Sequence, residues 1–259
     1  MNQPTLPQVH ATAYDRDACN IGVVHIGYGA FHRAHQAVYF DDYMDQTGDL
    51  RWGIAAVNLR SADSVDFARN RSATNGYVVK SVSPSGEIGL RNVRSHLGFF
   101  DWSNDQAATE ALLTNPNVHL VTITVTESGY YGDASGTLDP ADEAIDAELS
   151  GGPKSSIYAY LAAALTQRQR ETDQPLSILC CDNIQHNGSK LRKNLMAYLH
   201  LAGQSELADW VNQKVTFPSS MVDRITPRSS PEVQSQIEAM VGEQPVPAVM
   251  AETFSQWVL

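Results

Sequence analysis

The stretch Ile21-Gly22-Val23-Val24-His25-Ile26-Gly27-Tyr28-Gly29-Ala30-Phe31-His32-Arg33-Ala34-His35 decides how the chain is read. The compact apolar run at its start stops at glycine and predicts a buried strand. Apolar residues at Ala30, Ala34 and Val38 then predict an amphipathic helix from residue 30 to about 47. A strand, a Gly-x-Gly turn and a helix, in that order, form the setting in which a dinucleotide fingerprint has meaning. Gly27 permits a tight turn, and Gly29 lets the backbone approach a pyrophosphate. The helix start offers unpaired N–H groups and a partial positive charge, and Arg33 would add a charge-assisted contact. The generic fingerprint wants a small residue at position 32, where a histidine stands. Gly-x-Gly alone therefore divides evenly between a nucleotide site and an ordinary strand–helix turn. His32 and His35 lie three apart on one helix face, a spacing open to a metal, but no motif supplies a third ligand.

The bulk numbers narrow the classes. At 259 residues the chain is long enough for one large domain or two small ones, and its 42% hydrophobic content suits a sizeable core. The formal charge of −11 argues against a general nucleic-acid binder, which needs a basic face to displace counterions. Of the three cysteines, Cys180 and Cys181 are adjacent, which suits neither a disulfide framework nor a zinc knuckle. A reducing cytoplasm is the expected compartment. The first twenty residues carry no secretory pattern, and no apolar run approaches the ~18 residues of a membrane span.

Further along, residues 52–57 predict a second buried strand and 61–70 a polar helix. Residues 77–83 and 88–96 predict a hairpin turning at 84–86. A helix at 104–113 leads into 118–125, the most strand-like run in the chain. Residues 155–170 predict a helix and 176–181 another buried strand. A helix at 188–202 follows, with Lys190, Arg192 and Lys193 on its exposed side. Apolar strands alternating with helices imply an α/β fold: a Rossmann-like, doubly wound, mostly parallel sheet with an inserted antiparallel hairpin. Ligands in such sheets sit at the carboxyl ends of strands. That directs attention to 27–33, 58–63, 126–130 and 182–188.

Each of these ends offers candidates with an ordinary reading beside the functional one. No carboxylate ends the second strand at Asn58. Asp63 would have to curl back to a ribose, while Arg60 would meet a 2′-phosphate or stack on adenine, and the whole segment also reads as a helix-capping loop. Thr126 and Glu127 stand where a cofactor or substrate would pass, although Glu127 would equally cap a helix. Asn183 is able to donate its amide to a carbonyl or alkoxide oxygen, or simply to hold its loop. Asp223 and Arg224 by themselves read as a turn with a salt bridge.

Together the segments resemble the mannitol dehydrogenase family, the polyol-specific long-chain dehydrogenases and reductases. This family includes mannitol 2-dehydrogenases, fructuronate and tagaturonate reductases, and arabinitol dehydrogenases. The resemblance is carried by HIGYGAFHRAHQ (25–36), WGIAAVNL (52–59), TVTESGY (124–130), CDNIQHNG with LRK (181–188, 191–193) and SMVDRITP (220–227). These matches are collinear from about residue 21, and Gly-x-Gly-x-Phe-x-Arg-x-His is far more specific than Gly-x-Gly. The resemblance implies that His32 belongs to the family's own form of NAD(P)-binding turn and that no metal is needed. It implies cofactor contacts at Gly27, Gly29, Ala30, Phe31, His32, Arg33, Asn58, Arg60, Asp63, Thr126, Glu127 and Asn183. The cofactor is expected to be NAD, with NADP not excluded. The substrate class is a polyol or sugar acid, mannitol or fructose first, and the expected state is a monomer without nucleic-acid or membrane partners.

In this family the residue matching Asn183 helps form an oxyanion hole, and the one matching Asp223 lies near the nicotinamide. The general acid/base is a lysine in a Lys-x-x-x-x-Asn-x-x-His motif of a following helical domain. No lysine of this chain has Asn five places on and His eight places on. The resemblance therefore puts the general-base lysine beyond Leu259, outside this sequence. Residues 1–20 are expected to be an extension, 21–255 the dinucleotide domain, and 256–259 the start of a passage toward an absent helical domain. A truncated chain inactive alone is the first expectation. A non-catalytic dinucleotide-binding or regulatory protein is the alternative.

Overall fold

The computed structural model describes residues 8–71, 75–228, 230–242 and 247–259. In chain order its strands are β1 (Val9–Ala11), β2 (Ile21–Ile26), β3 (Gly53–Asn58), β4 (Tyr77–Val82), β5 (Ile88–Val93) and β6 (His96–Asp101). They continue with β7 (Leu120–Ile123), β8 (Leu176–Cys180), β9 (Val215–Thr216), β10 (Met221–Asp223), β11 (Ala248–Glu252) and β12 (Gln256–Val258). The α-helices are α1 (Ala30–Ala34), α2 (Gln36–Thr47), α3 (Ser64–Arg71), α4 (Gln106–Glu110), α5 (Glu143–Leu149), α6 (Ile157–Glu171), α7 (Asn187–Leu201), α8 (Ser205–Lys214) and α9 (Pro231–Val241).

The central sheet is six-stranded and parallel throughout, in the order β6-β3-β2-β7-β8-β9. Its inner strands β2, β3, β7 and β8 are buried on both faces, as their near-continuous apolar runs require. Alternate residues divide between two cores. Val24, Ile26, Ala55, Val57, Val121 and Ile123 pack with α6, α7 and α8 on one face. Val23 and Ile54 pack with Ala34, Ala37 and Phe40 of α1 and α2 on the other. Burying one large aliphatic side chain contributes about 1.5–3 kcal/mol, so Leu161 and Leu165, both fully buried, hold α6 by packing more than by propensity.

Helix α6 also carries a buried cation. Arg168 is fully buried. Its guanidinium donates to the carbonyl oxygens of Leu113, Val118, Gln174 and Pro175 at 2.6, 3.1, 2.8 and 2.8 Å. These bonds fasten the loops that enter β7 and β8, and burial lowers the guanidinium's pKa.

The expected hairpin exists as β4 and β5, but it is not a free insertion. A second sheet, in the order β1-β5-β4-β11, pairs β1 and β11 with it in parallel. The second arm ends at Val93 rather than 96, and residues 96–101 are a strand of the central sheet that was not anticipated. The crossover is tied down at Arg94 and Ser95. The Arg94 guanidinium donates to the carbonyls of Thr12 and Tyr14, and Ser95 Oγ donates to the Ala37 carbonyl at 2.9 Å.

Two other expectations need correction. The helix read as one piece over 30–47 breaks at His35, whose φ and ψ are −121° and −92°. Its ring stacks on Phe31 and its Nε2 meets the Gln256 carbonyl at 2.8 Å, contacts that compete with a continuous helix. The strand read over 118–125 is shorter, although His119 and Thr124 still donate to the carbonyls of Gly22 and Ile26 in β2. Elements β9–β12, α5, α8 and α9 were not foreseen. The segment expected as a passage, 256–259, contains β12, paired antiparallel with β10. Leu259 follows this strand directly and is 71% exposed.

Candidate dinucleotide site

Strand β2 has β3 on one side and β7 on the other, so the strand order reverses there and opens a crevice at the carboxyl ends. A cleft of about 370 Å³ lies at that point. Its walls come from Gly27, Tyr28, Gly29 and Arg33 after β2, from Asn58, Leu59 and Arg60 after β3, and from 124–126 after β7.

The Gly turn is held from below. Gly27 has φ +97°, and a Cβ there would collide with the Thr124 carbonyl. Its own carbonyl oxygen accepts from Gly29 N at 2.7 Å, Thr124 Oγ1 at 2.9 Å and His25 Nε2 at 2.9 Å. Gly29 is different, because a Cβ there would meet only the Gly27 carbonyl oxygen, 3.9 Å away. The open side is where a ligand backbone would pass. Arg33 lines the cleft with its guanidinium carbon 5.2 Å from the Tyr28 ring centre.

His32 does not face this cleft. It is fully buried, stacked on His25, with its Nε2 2.9 Å from His96 Nε2. Burial depresses all three imidazoles, His25 to about 3 and the other two well below the usual value. They are neutral rings supporting the turn. His35 turns away to Gln256, so the His32–His35 pair does not converge. Among the described residues no His, Cys, Asp and Glu group is arranged to hold a metal.

At the end of β3, Asn58 Nδ2 donates to the Arg60 carbonyl at 2.8 Å and to Asp101 at 3.2 Å. Burial pushes the Asp101 carboxyl up, but hydrogen bonds from Ser64, Ser103 and Asn58 outweigh it and hold the pKa below the ordinary value. Arg60 is exposed on the cleft wall. Asp63 ends a short 3₁₀ turn, Ser61–Asp63, and its side chain lies outside the described residues.

A second cavity of about 440 Å³ adjoins the first through Thr126. It is lined by Thr126, Glu127, Asp182, Asn183, Ile184, Gln185 and Lys190. Thr126 has φ +66°, and His186, at the start of α7, has φ +56°. Both sit in the loops that follow strands, β7 for Thr126 and β8 for His186, where backbone strain commonly marks function. The half-buried Asp182 carboxylate anchors this region by accepting from Val125 N at 2.9 Å and the Tyr130 hydroxyl at 2.7 Å. Burial raises its pKa against those bonds. Asn187 fixes the far side, bonding the Asp182 carbonyl and both backbone groups of Ser220.

The structure thus brings Gly27, Gly29, Arg33, Asn58, Arg60 and Thr126 around one cleft, and Thr126, Glu127 and Asn183 around the next. Ala30, Phe31 and His32 line neither. Phe31 packs toward Leu179, Cys181, Val222 and Trp257. Asp223 is exposed on β10 and also lines neither cavity. The same holds for Leu259, the residue beyond which the base lysine is expected. Lys190 is the lysine that does reach the second cavity, and it is followed by Leu195 and Tyr198 where the motif wants Asn and His. The expected salt bridge beside Asp223 gives way to Arg224 donating to the carbonyls of Ala34 and Glu252. His25, Thr124 and Asp182 were missed. The signal available for each was a polar residue within or directly after an otherwise apolar strand.

Comparison with known proteins agrees with this architecture. Residues 21–259 match the mannitol dehydrogenase Rossmann domain. The chain is 38% identical over 240 residues to a D-arabinitol 4-dehydrogenase of Klebsiella pneumoniae, covering 91% of this chain and 51% of that protein. It is 38% identical over 249 residues to a mannitol 2-dehydrogenase of Cereibacter sphaeroides, covering 95% and 51%. The solved ternary complex of Pseudomonas fluorescens mannitol 2-dehydrogenase with NAD and D-mannitol superimposes with a TM-score of 0.90 at 32% identity. That match covers 97% of this chain and 51% of that one. The chain spans about half the length of the curated relatives it matches.

Proposed function

The chain belongs to the mannitol dehydrogenase family, and on that premise we propose that it binds a nicotinamide dinucleotide for an oxidoreductase acting on a secondary alcohol. The substrate class is a polyol or sugar acid, with mannitol and fructose the first pair to test. The cleft at the β2–β7 switch point carries this reading. Its residues fit such a group: Gly29 leaves room for a pyrophosphate, Arg33 and Arg60 add positive charge, and no carboxylate is among the described residues lining it. The bound nicotinamide would supply or accept the hydride.

The chain's own residues would do the rest of their share by position. Asn183, in the adjoining cavity, would donate its amide to the reacting oxygen and stabilise charge there. Thr126 and Glu127 would form the boundary between cofactor and substrate, and Asp223 would act from the β10 edge. Proton transfer is a separate requirement. No lysine up to Leu259 stands in the Lys-x-x-x-x-Asn-x-x-His pattern, and general acid–base assistance is commonly worth ~10²–10⁴-fold. We therefore expect this chain alone to bind dinucleotide and to turn over little or no polyol.

Titration with the reduced dinucleotide, read by its fluorescence, tests the binding claim. Saturable binding that Gly29→Asp abolishes is expected, because the new carboxylate would occupy the open side of the turn. Absence of binding up to about millimolar concentration, the weak end of the affinity scale, would overturn it. Mannitol oxidation at an ordinary enzymatic rate by the same chain would overturn the expected inactivity.

A further inference from the structure

Helix α1 is five residues long and joins the Gly turn to the break at His35. In an unbroken helix the Ala34 carbonyl would accept from Val38 N. Here Val38 N donates to the His35 carbonyl at 2.9 Å instead, so the Ala34 oxygen needs a donor from elsewhere. Arg224 supplies it. Its Nη1 donates to the Ala34 carbonyl, while Nε and Nη2 donate to the Glu252 carbonyl at 3.1 and 2.9 Å. One guanidinium thus bridges two backbone segments that lie far apart in the chain.

A second tie runs beside it. His35 Nε2 donates to the Gln256 carbonyl at 2.8 Å, and Gln256 pairs with Asp223 across β10 and β12. Glu252 Oε1 accepts from Ile225 N at 2.6 Å, which locks residues 225 and 252 together. The far end of α1 is therefore held by the ribbon that carries Asp223. Its other end is the cleft wall: Gly29, which caps α1, and Arg33, the residue before Ala34, both line the cleft, whereas Arg224, Glu252 and Gln256 line neither cavity. A helix of little more than one turn has no slack, so a shift at Ala34 carries Arg33 and Gly29 with it. Resting on the dinucleotide reading above, we propose that Arg224 is a positioning residue that fixes the end of α1 and couples the Gly turn to the β10–β12 ribbon without touching the ligand.

The probe is ADP-ribose, which carries the pyrophosphate but lacks the nicotinamide expected beside Asp223. Bound to this chain, it should slow amide exchange at 27–35 and also at 222–225 and 252–257, segments outside the cleft. Arg224→Gln should weaken its binding about tenfold, as loss of a charged donor would. At saturation the variant should keep the protection at 27–35 and lose that of the ribbon. Arg224→Lys keeps the charge without the fork and should recover part of both. Leu207→Ala is the stability control, because Leu207 is buried in α8, on the face of the sheet opposite α1. It should lower Tm and leave affinity and protection unchanged. His35→Phe keeps a ring against Phe31 and removes the second tie, so it should weaken binding in the same direction, and it decides the matter if Arg224→Gln does not fold. Unmodified affinity in the variant that is read, or protection confined to 27–35 in the unmodified chain, would overturn the proposal and leave the dinucleotide site standing. If ADP-ribose does not bind the unmodified chain, the site reading and the proposal fall together.

Discussion

The His25 ring reaches forward from β2 to the turn that ends its own strand, with Nε2 2.9 Å from the carbonyl oxygen of Gly27. A carbonyl only accepts, so Nε2 carries the ring proton, and Nδ1 accepts from Thr122 Oγ1 at 2.7 Å. One neutral imidazole therefore joins β2, β7 and the Gly turn. His25→Phe keeps a ring and removes both polar atoms, leaving a buried Thr122 hydroxyl without this partner. We expect a loss of about 1–3 kcal/mol in stability and weaker dinucleotide binding, measured by denaturant unfolding and by titration. Wild-type values for both would remove the turn-holding role.

The same cluster sets a pH dependence. His25 titrates at about 3 in the folded protein because burial disfavours its charged form, and His32 and His96 are depressed in the same direction. Unfolded, each imidazole takes up a proton near pH 6.5. Below that pH the unfolded chain binds more protons, so the stability present above 6.5 is lost progressively as pH falls. His25 alone should account for about 2 kcal/mol between pH 7 and pH 5. Urea unfolding at the two values should show the fall, and His25→Phe should reduce it by about that amount.

The two glycines of the turn should separate under substitution. Gly27→Ala forces a side chain into the Thr124 carbonyl at a positive φ, which combines collision with backbone strain. We expect a drop of about 2–3 kcal/mol, roughly 5–10 °C in Tm. Gly29→Ala meets open space and should leave Tm within about 2 °C while weakening the dinucleotide, since its methyl stands where the ligand passes. Thermal melts and NADH titrations on both variants decide this. Equal losses of stability would contradict the assignment of separate roles.

The legible parts of this molecule were those whose signal is local. The apolar runs of β2, β3, β7 and β8 and the glycines that stop them stand in the sequence, so the sheet and its ligand-facing edge could be read directly. β6 could not, because His96-Leu-Gly-Phe-Phe-Asp continues the hairpin's pattern without punctuation. Its departure depends on what Arg94 and Ser95 bond across the fold. The split at His35 likewise comes from a carbonyl 221 residues away. In the site, spacing placed the strand-end residues well, but it could not tell a side chain facing the cleft, such as Arg33, from one facing the core, such as His32. That distinction follows from the twist of a single helical turn.

Asp182 offers a test of how far the second cavity depends on a half-buried anchor. Its carboxylate holds Val125 N and the Tyr130 hydroxyl at 2.9 and 2.7 Å, bracketing Thr126 at its positive φ. A strained residue persists only where its surroundings over-determine it. Asp182→Ala takes the acceptor from Val125 N and leaves the Tyr130 hydroxyl only Cys180 Sγ, 2.9 Å away, and should let Thr126 relax, pulling one shared wall out of both cavities. We expect dinucleotide affinity to fall about tenfold, with faster amide exchange confined to 125–130. Tyr130→Phe removes one of the two bonds and should have a smaller effect. Because the two residues act through one contact, the double variant should lose less than the sum of the single losses. Strict additivity would mean that the Tyr130 contact does not position the loop, and that Asp182 acts through Val125 alone.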